Sequence, residues 1–213
     1  MANLDNPRGL RPAKHLDGKP WNGYTWRCCH LAADAGGATF VGDPVLHSGT
    51  ACALGCCMSV TKGTIGTTNH ILGVIASFQP VGGEHGITLD AATIGSRRDS
   101  AVYRVALTLR YVDVVIDPDV IYEIQASTGG AVARTAVNRN SNLISDHSGN
   151  TVTGMSGMEM LYSDSATTKA HQLHNLGAVP HPDNDISLEH SDWYVLLNTS
   201  ALASCTAGRV LGV

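Results

Sequence analysis

The stretch "YRVALTLRYVDVVIDPDVIYEIQAS", residues 103–127, concentrates the strand-forming residues of this chain. Tyr103, Val105, Leu107 and Leu109 alternate with Arg104, Ala106, Thr108 and Arg110, the period of two expected of a strand with one apolar face. After Tyr111 the phase shifts to Val112, Val114 and Ile116, with Asp113 and Asp117 opposite, so a bulge or turn is expected near Tyr111. Asp117-Pro118-Asp119 carries turn chemistry, because proline presets φ and aspartate can bond its own backbone. Val120, Tyr122, Ile124 and Ala126 then renew the apolar face, opposite Ile121, Glu123 and Gln125. The stretch reads as a strand pair built for packing. One Glu and one Gln on its polar face make no catalytic pair.

Elsewhere the pattern is of short elements and turns. The chain has 213 residues, with 23 Gly, 8 Pro and only 5% aromatic residues, which favours an all-β fold, either an antiparallel β-sandwich or a β-barrel. "TFVGDPV" (39–45) reads as a short strand stopped by a Gly-Asp-Pro turn, and "ILGVIASF" (71–78) as a buried strand. "GGAVARTAVNRN" (129–140) is predicted as a short helix, and "HSDWYVLLN" (190–198) as a strand with Trp193, Val195 and Leu197 on one face. The N-terminal 1–27 is predicted to be an extended arm, since Pro7, Pro12 and Pro20 remove amide donors. A single β-rich domain follows over 28–200, then a tail over 201–213. The arm holds Arg8, Arg11, Lys14, Lys19 and Arg27, five of the chain's 14 cationic residues. It is either a docking segment for an acidic neighbour or a solvated terminus.

A net charge of −4 gives no basic field for a phosphate backbone, so nucleic acid is not an expected partner. No apolar window is long enough for a membrane span and the N-terminus has no apolar stretch of the kind a secretory signal needs, so the protein is expected to remain where it is made, with no membrane partner. The six cysteines, Cys28, Cys29, Cys52, Cys56, Cys57 and Cys205, read as reduced small hydrophobes, because vicinal cysteines bridge each other only with strain. Phosphate-loop and dinucleotide motifs are missing. "GMSG" (154–157) fails as a nucleophile elbow because Met158 stands where the second Gly is needed. Ten histidines invite a metal reading, with His171, His174 and His181 the densest group, yet no H-E-x-x-H supports it. No cofactor, metal site or catalytic residue is assigned. Asp183 and Asp185 read as a turn rather than a calcium loop.

Several motifs occur in an order that resembles a group of small tailed-phage structural proteins accompanying the major capsid protein. "MANLDNPRGLRP" resembles their N-terminal pattern, "FVGDPV" an early motif and "DPDVIYEIQ" a mid-chain one; "TGMSGMEM", the "DN" of "HPDNDIS" and "WYVLLN" resemble their final third. The matching motifs span residues 1–198. The resemblance implies a β-rich virion protein, a capsid decoration or cement protein made in the host bacterial cytoplasm, with no catalytic residues to carry over. Its implied partner is the major capsid protein, and a homotrimer would suit the local three-fold positions of a shell. The cysteines, histidines and apolar tail depart from the group. On this reading Arg8, Arg11 and Lys14 anchor the arm to the capsid, and deleting residues 2–20 should leave the fold intact. Two alternatives stand beside it: a tail, fibre or head-completion protein binding glycans through Trp21, Tyr24 and Trp26, or a metal-dependent hydrolase using the His171–His181 cluster.

Overall fold

A computed structural model describes residues 3–30, 37–52, 55, 57–65, 70–79 and 102–202. Its strands, in chain order, are β1 (Arg11–His15), β2 (Trp26–His30), β3 (Pro44–Ala51), β4 (Met58–Lys62), β5 (Gly73–Phe78), β6 (Arg110–Val115), β7 (Val120–Gln125), β8 (Asn140–Ser141), β9 (Leu143–Ile144), β10 (Glu159–Met160), β11 (Leu173–Ala178) and β12 (Asp192–Leu197). The fold is all-β and uses both closures that the sequence permits. Strands β2-β4-β3-β5-β6 close a small barrel, and β1-β7-β12-β11-β8 form a five-stranded antiparallel sheet. The ladder between β2 and β4 is parallel; the other barrel pairs are antiparallel.

The period of two explains how barrel and sheet share a core. On β5 and β6, Ile75, Val112 and Val114 point into the barrel with Cys28, Val45, Val60 and Leu72. Their neighbours Val74 and Val115 point outward and pack with Val120, Tyr122, Ile124, Trp193, Val195 and Leu197 of the sheet. The outer wall of the barrel is therefore one wall of the main core. The expected faces of β7 and β12 are the observed ones.

The strand pair expected across Asp117-Pro118-Asp119 is corrected. The turn forms, with Asp119 N–H donating to Asp117 Oδ1 at 2.8 Å, but β6 belongs to the barrel and β7 to the sheet. The turn carries the chain from one to the other instead of folding it back.

Residues 103–109 are not a half-buried strand. Arg104 makes an isolated bridge to Thr39, Leu107 has a positive φ of 61°, and Leu107 is 70% exposed. Residues 105–109 are all exposed, and the buried residue of the stretch is an arginine: the Arg104 side chain is fully enclosed and donates to the carbonyls of Thr108 and Gly37. A guanidinium has enough donors to satisfy loop carbonyls, and alternation alone cannot show this. The break near Tyr111 also moves, since β6 runs unbroken from Arg110.

Two further elements differ. "TFVGDPV" makes isolated bridges at Thr39 and Val41, and the strand begins at Pro44, after the turn. The helix expected over 129–140 shrinks to one 3-10 turn at Arg134–Ala136. Gly129 and Gly130 have positive φ, Ala133 and Val137 are extended on either side, and no side chain caps the turn. The expected tail lies, beyond Leu202, outside the described residues.

Trp193 is 2% exposed in the shared core, and its Nε1–H donates to Ser191 Oγ at 3.0 Å. Trp193→Ala is expected to cost about 3–5 kcal/mol in urea unfolding. Val152→Ala, at an 85% exposed position, should stay within about 0.5 kcal/mol. Similar costs for the two would mean that barrel and sheet do not share this core.

Candidate functional site

The polar face of β7 answers why a packing strand carries Glu123 and Gln125: it receives the N-terminal segment. Gln125 Oε1 accepts from Asn6 N–H at 2.9 Å, and its Nε2 donates to the Leu4 carbonyl at 2.9 Å. Asn3 donates to the carbonyls of Asp185 and Glu189 and accepts from Asp185 N–H. Beyond them β1 pairs with β7 as the edge strand of the sheet. Prolines limit a segment to edge positions, and Pro12 indeed lies on this edge strand.

The three cations assigned to docking all face the chain's own sheet. Arg11 meets Glu123 at 2.7 Å, with the arginine 56% exposed, so the pair contributes at most about 1 kcal/mol. Lys14 Nζ sits 4.1 Å from the Tyr194 ring centroid. Arg8 borders Asp192, whose carboxyl is raised above its ordinary range by burial and drawn back by Arg8. Between the segment and the sheet lies a cleft of about 320 Å³, lined by Arg8, Arg11, Glu123, Gln125, His181 and Asp192 among others. A second, more apolar cleft of about 450 Å³ opens on the barrel side, where Trp21, Ile75 and Met155 line it.

Deleting residues 2–20 cannot leave the fold intact, contrary to the expectation that went with the anchoring role of Arg8, Arg11 and Lys14. It would remove β1 and Leu10, which is 1% exposed in the main core. The segment crosses the barrel entrance at Gly9 and Gly42, both with positive φ. A Cβ on Gly9 would lie 2.6 Å from Gly42 O and from Ser156 Cβ, and one on Gly42 would lie 2.5 Å from Arg8 O. Beside this crossing Asp43 is 1% exposed. It accepts from Phe40 N–H at 2.9 Å, from Ser156 Oγ–H and from Lys62 Nζ at 3.0 Å. Motifs more than a hundred residues apart thus meet at one buried carboxylate. Sequence reading had no signal for that meeting.

Two histidines of the expected cluster are used structurally. His171 and His174 donate from Nδ1 to the backbone carbonyl and side-chain oxygen of Asn140, at 3.1 and 2.8 Å. His181 is beyond the far end of β11, exposed on the first cleft. A six-residue strand separates His171 from His181 by roughly 20 Å or more, too far to share an ion. Among the described residues, Asp5, His147 and Glu159 instead come together with metal-ligand chemistry.

Cys28, Cys29, Cys52 and Cys57 form no disulfide; Cys56 and Cys205 lie outside the described residues. Cys28 and Cys29 point to opposite faces of β2, one into the barrel core and one into a smaller cluster with Cys52 and Tyr111. Burial pushes the Cys28 thiol up to about 12, which keeps it protonated and unreactive. Of the aromatics offered for glycan binding, Tyr24 is 61% and Trp26 45% exposed. Trp21 is packed against the main core.

Asp43→Ala would strip the acceptor from a buried ring of donors and is expected to cost about 3 kcal/mol in urea unfolding. Glu123→Ala, at a partly exposed pair, should cost less than about 1 kcal/mol. Equal effects would remove Asp43 from its place at the centre of the crossing.

No family model matches the chain, and neither a curated protein nor a solved structure matches it.

Proposed function

We propose that this chain is a structural virion protein that binds the outside of a tailed-phage capsid and cements the shell of its major capsid protein. The observation that carries the reading is the make-up of the N-terminal segment. Leu4, Leu16, Tyr24 and Trp26 are 75, 51, 61 and 45% exposed; Asn3, Asn6 and Gln125 fix the backbone around Leu4, Leu16 N–H donates to Asp119 O at 2.8 Å, and Trp26 opens β2. Exposed aromatic and aliphatic side chains on a fixed backbone are what an adhesive edge requires. Little ordering entropy is lost on docking, and large apolar groups supply most of the binding energy at such contacts.

The motifs behind the phage resemblance support the same reading. Gly9, Gly42, Asp43, Ser156 and Gln125 hold three distant segments together, and each is accounted for by that assembly. A protein that repeats its contact at many equivalent sites on a shell needs such a stiff body more than a reactive centre. Arg8, Arg11 and Lys14 then act indirectly: they hold the segment that displays the apolar contacts. The exposed Tyr24 and Trp26 also suit a tail or fibre protein that stacks on glycans, and copy number separates the two readings.

Quantitative mass spectrometry of purified virions is expected to give a ratio near or somewhat below one copy per major capsid protein. A handful of copies per particle would move the chain to the tail or a vertex, and absence from virions would end the structural reading. For the contact itself, Tyr24→Asp with Trp26→Asp should weaken capsid binding at least tenfold, about 1.4 kcal/mol, with urea unfolding unchanged. Undiminished binding would take the docking edge elsewhere on the molecule.

A further inference from the structure

Asp5, His147 and Glu159 come from three separate parts of the chain: the N-terminal segment, the loop between β9 and β10, and β10 itself. One ligand atom from each lies within 4.8 Å of the others. His147 Nδ1 is 2.9 Å from Glu159 Oε2, and His147 Nε2 is 3.6 Å from Asp5 Oδ2. The second spacing suits two ligands of one ion, which stand roughly 3.0–3.6 Å apart when each bond is about 2.1 Å. The first is the arrangement in which a carboxylate accepts from one imidazole nitrogen and leaves the other free as a metal ligand.

Two unmet groups border the same place. Glu159 has no solvent exposure, yet its Oε1 has no hydrogen-bond partner. His190, only 10% exposed, directs Nδ1 to within 3.7 Å of Asp5 Oδ1 and has no hydrogen-bond partner there. Two carboxylates and two imidazoles around a half-open position leave negative charge poorly compensated for its burial.

We propose that Asp5, His147 and Glu159 form a divalent-cation site of the zinc type that clamps the N-terminal segment to the body. Asp5 and His147 Nε2 are the ligands, Glu159 fixes the imidazole through Nδ1–H, and water completes the shell. Mixed nitrogen and oxygen donors favour zinc or cobalt over calcium or magnesium. With Asp5 44% and His147 38% exposed, an ion can enter from solvent. The site is distinct from the His171–His181 group and from the thiols of Cys29, Cys52 and Cys57. Its effect falls on the segment that displays Leu4 and precedes β1.

The test uses the full chain, stripped with chelator and titrated with Co²⁺. One ion per chain is expected, with visible ligand-field absorption and no thiolate-to-cobalt charge-transfer band. His147→Gln and Asp5→Asn should each abolish it, and His181→Gln should leave it unchanged. Asp5→Asn is nearly isosteric at a half-exposed position, so circular dichroism should confirm that this variant keeps its strands. Limited proteolysis supplies a second readout: at free Zn²⁺ about 100 times its Kd, cleavage within the N-terminal segment should slow by about 100-fold in the parent chain and in His181→Gln, but not in His147→Gln or Asp5→Asn. Absence of stoichiometric binding would overturn the proposal. So would binding that survives His147→Gln or carries the thiolate band, which would place the ion on the cysteines.

Discussion

The buried Asp43 carboxylate is the constraint on which the rest of the molecule depends. It sits at the start of β3, takes a hydrogen bond from the Phe40 amide and meets Lys62 of β4 and Ser156 of the loop before β10. A carboxylate removed from water is tolerated only when its oxygens are occupied, so all three donors must arrive together. Around this node the N-terminal segment, residues 41–42 and the 154–158 loop are in backbone contact. Leu10 N–H then donates to Gly42 O at 3.0 Å and Ser156 N–H to Val41 O at 2.8 Å. Such a crossing has no room for side chains, hence Gly9 and Gly42.

From this node the division of labour across the sheet follows. One face of β7 and β12 is spent on the core shared with the barrel wall; the other is covered by the N-terminal segment through Glu123, Gln125 and Tyr194. A segment whose prolines keep it out of a sheet interior becomes an edge strand and, before that, a strap fixed by side-chain amides. Its Arg11 and Lys14 are satisfied at home, and Leu10 is spent on the core, while Leu4, Leu16 and Tyr24 are left outside. That is the reverse of what composition suggests for a basic arm, whose charges would be expected to face outward.

Several elements were legible because their cause is local. The turn at Asp117-Pro118-Asp119 closes with its own side chain, and the alternation in β7 and β12 follows from the pleat. Other elements were illegible because the decisive partner is distant. The alternation in 103–109 faces solvent because Arg104 is claimed by carbonyls at Gly37 and Thr108. The helix-like composition of 129–140 is overruled by Gly129 and Gly130, whose backbone lies against the Tyr162 ring. The same holds at the site: Arg8, Arg11 and Lys14 could be named from their charge, but their partners Asp192, Glu123 and Tyr194 could not.

By itself, the sequence determined that the chain is all-β, which strand faces are apolar, and where its tightest turn lies, since these depend on neighbours one to four residues away. Only the tertiary structure decided that β6 and β7 part into barrel and sheet, that Asp43 gathers Lys62 and Ser156, and that Asp5, His147 and Glu159 converge. The first depends on which distant strands pair with β6 and β7, and the other two on a buried polar group finding partners more than ten residues away; periodicity carries no record of such pairings.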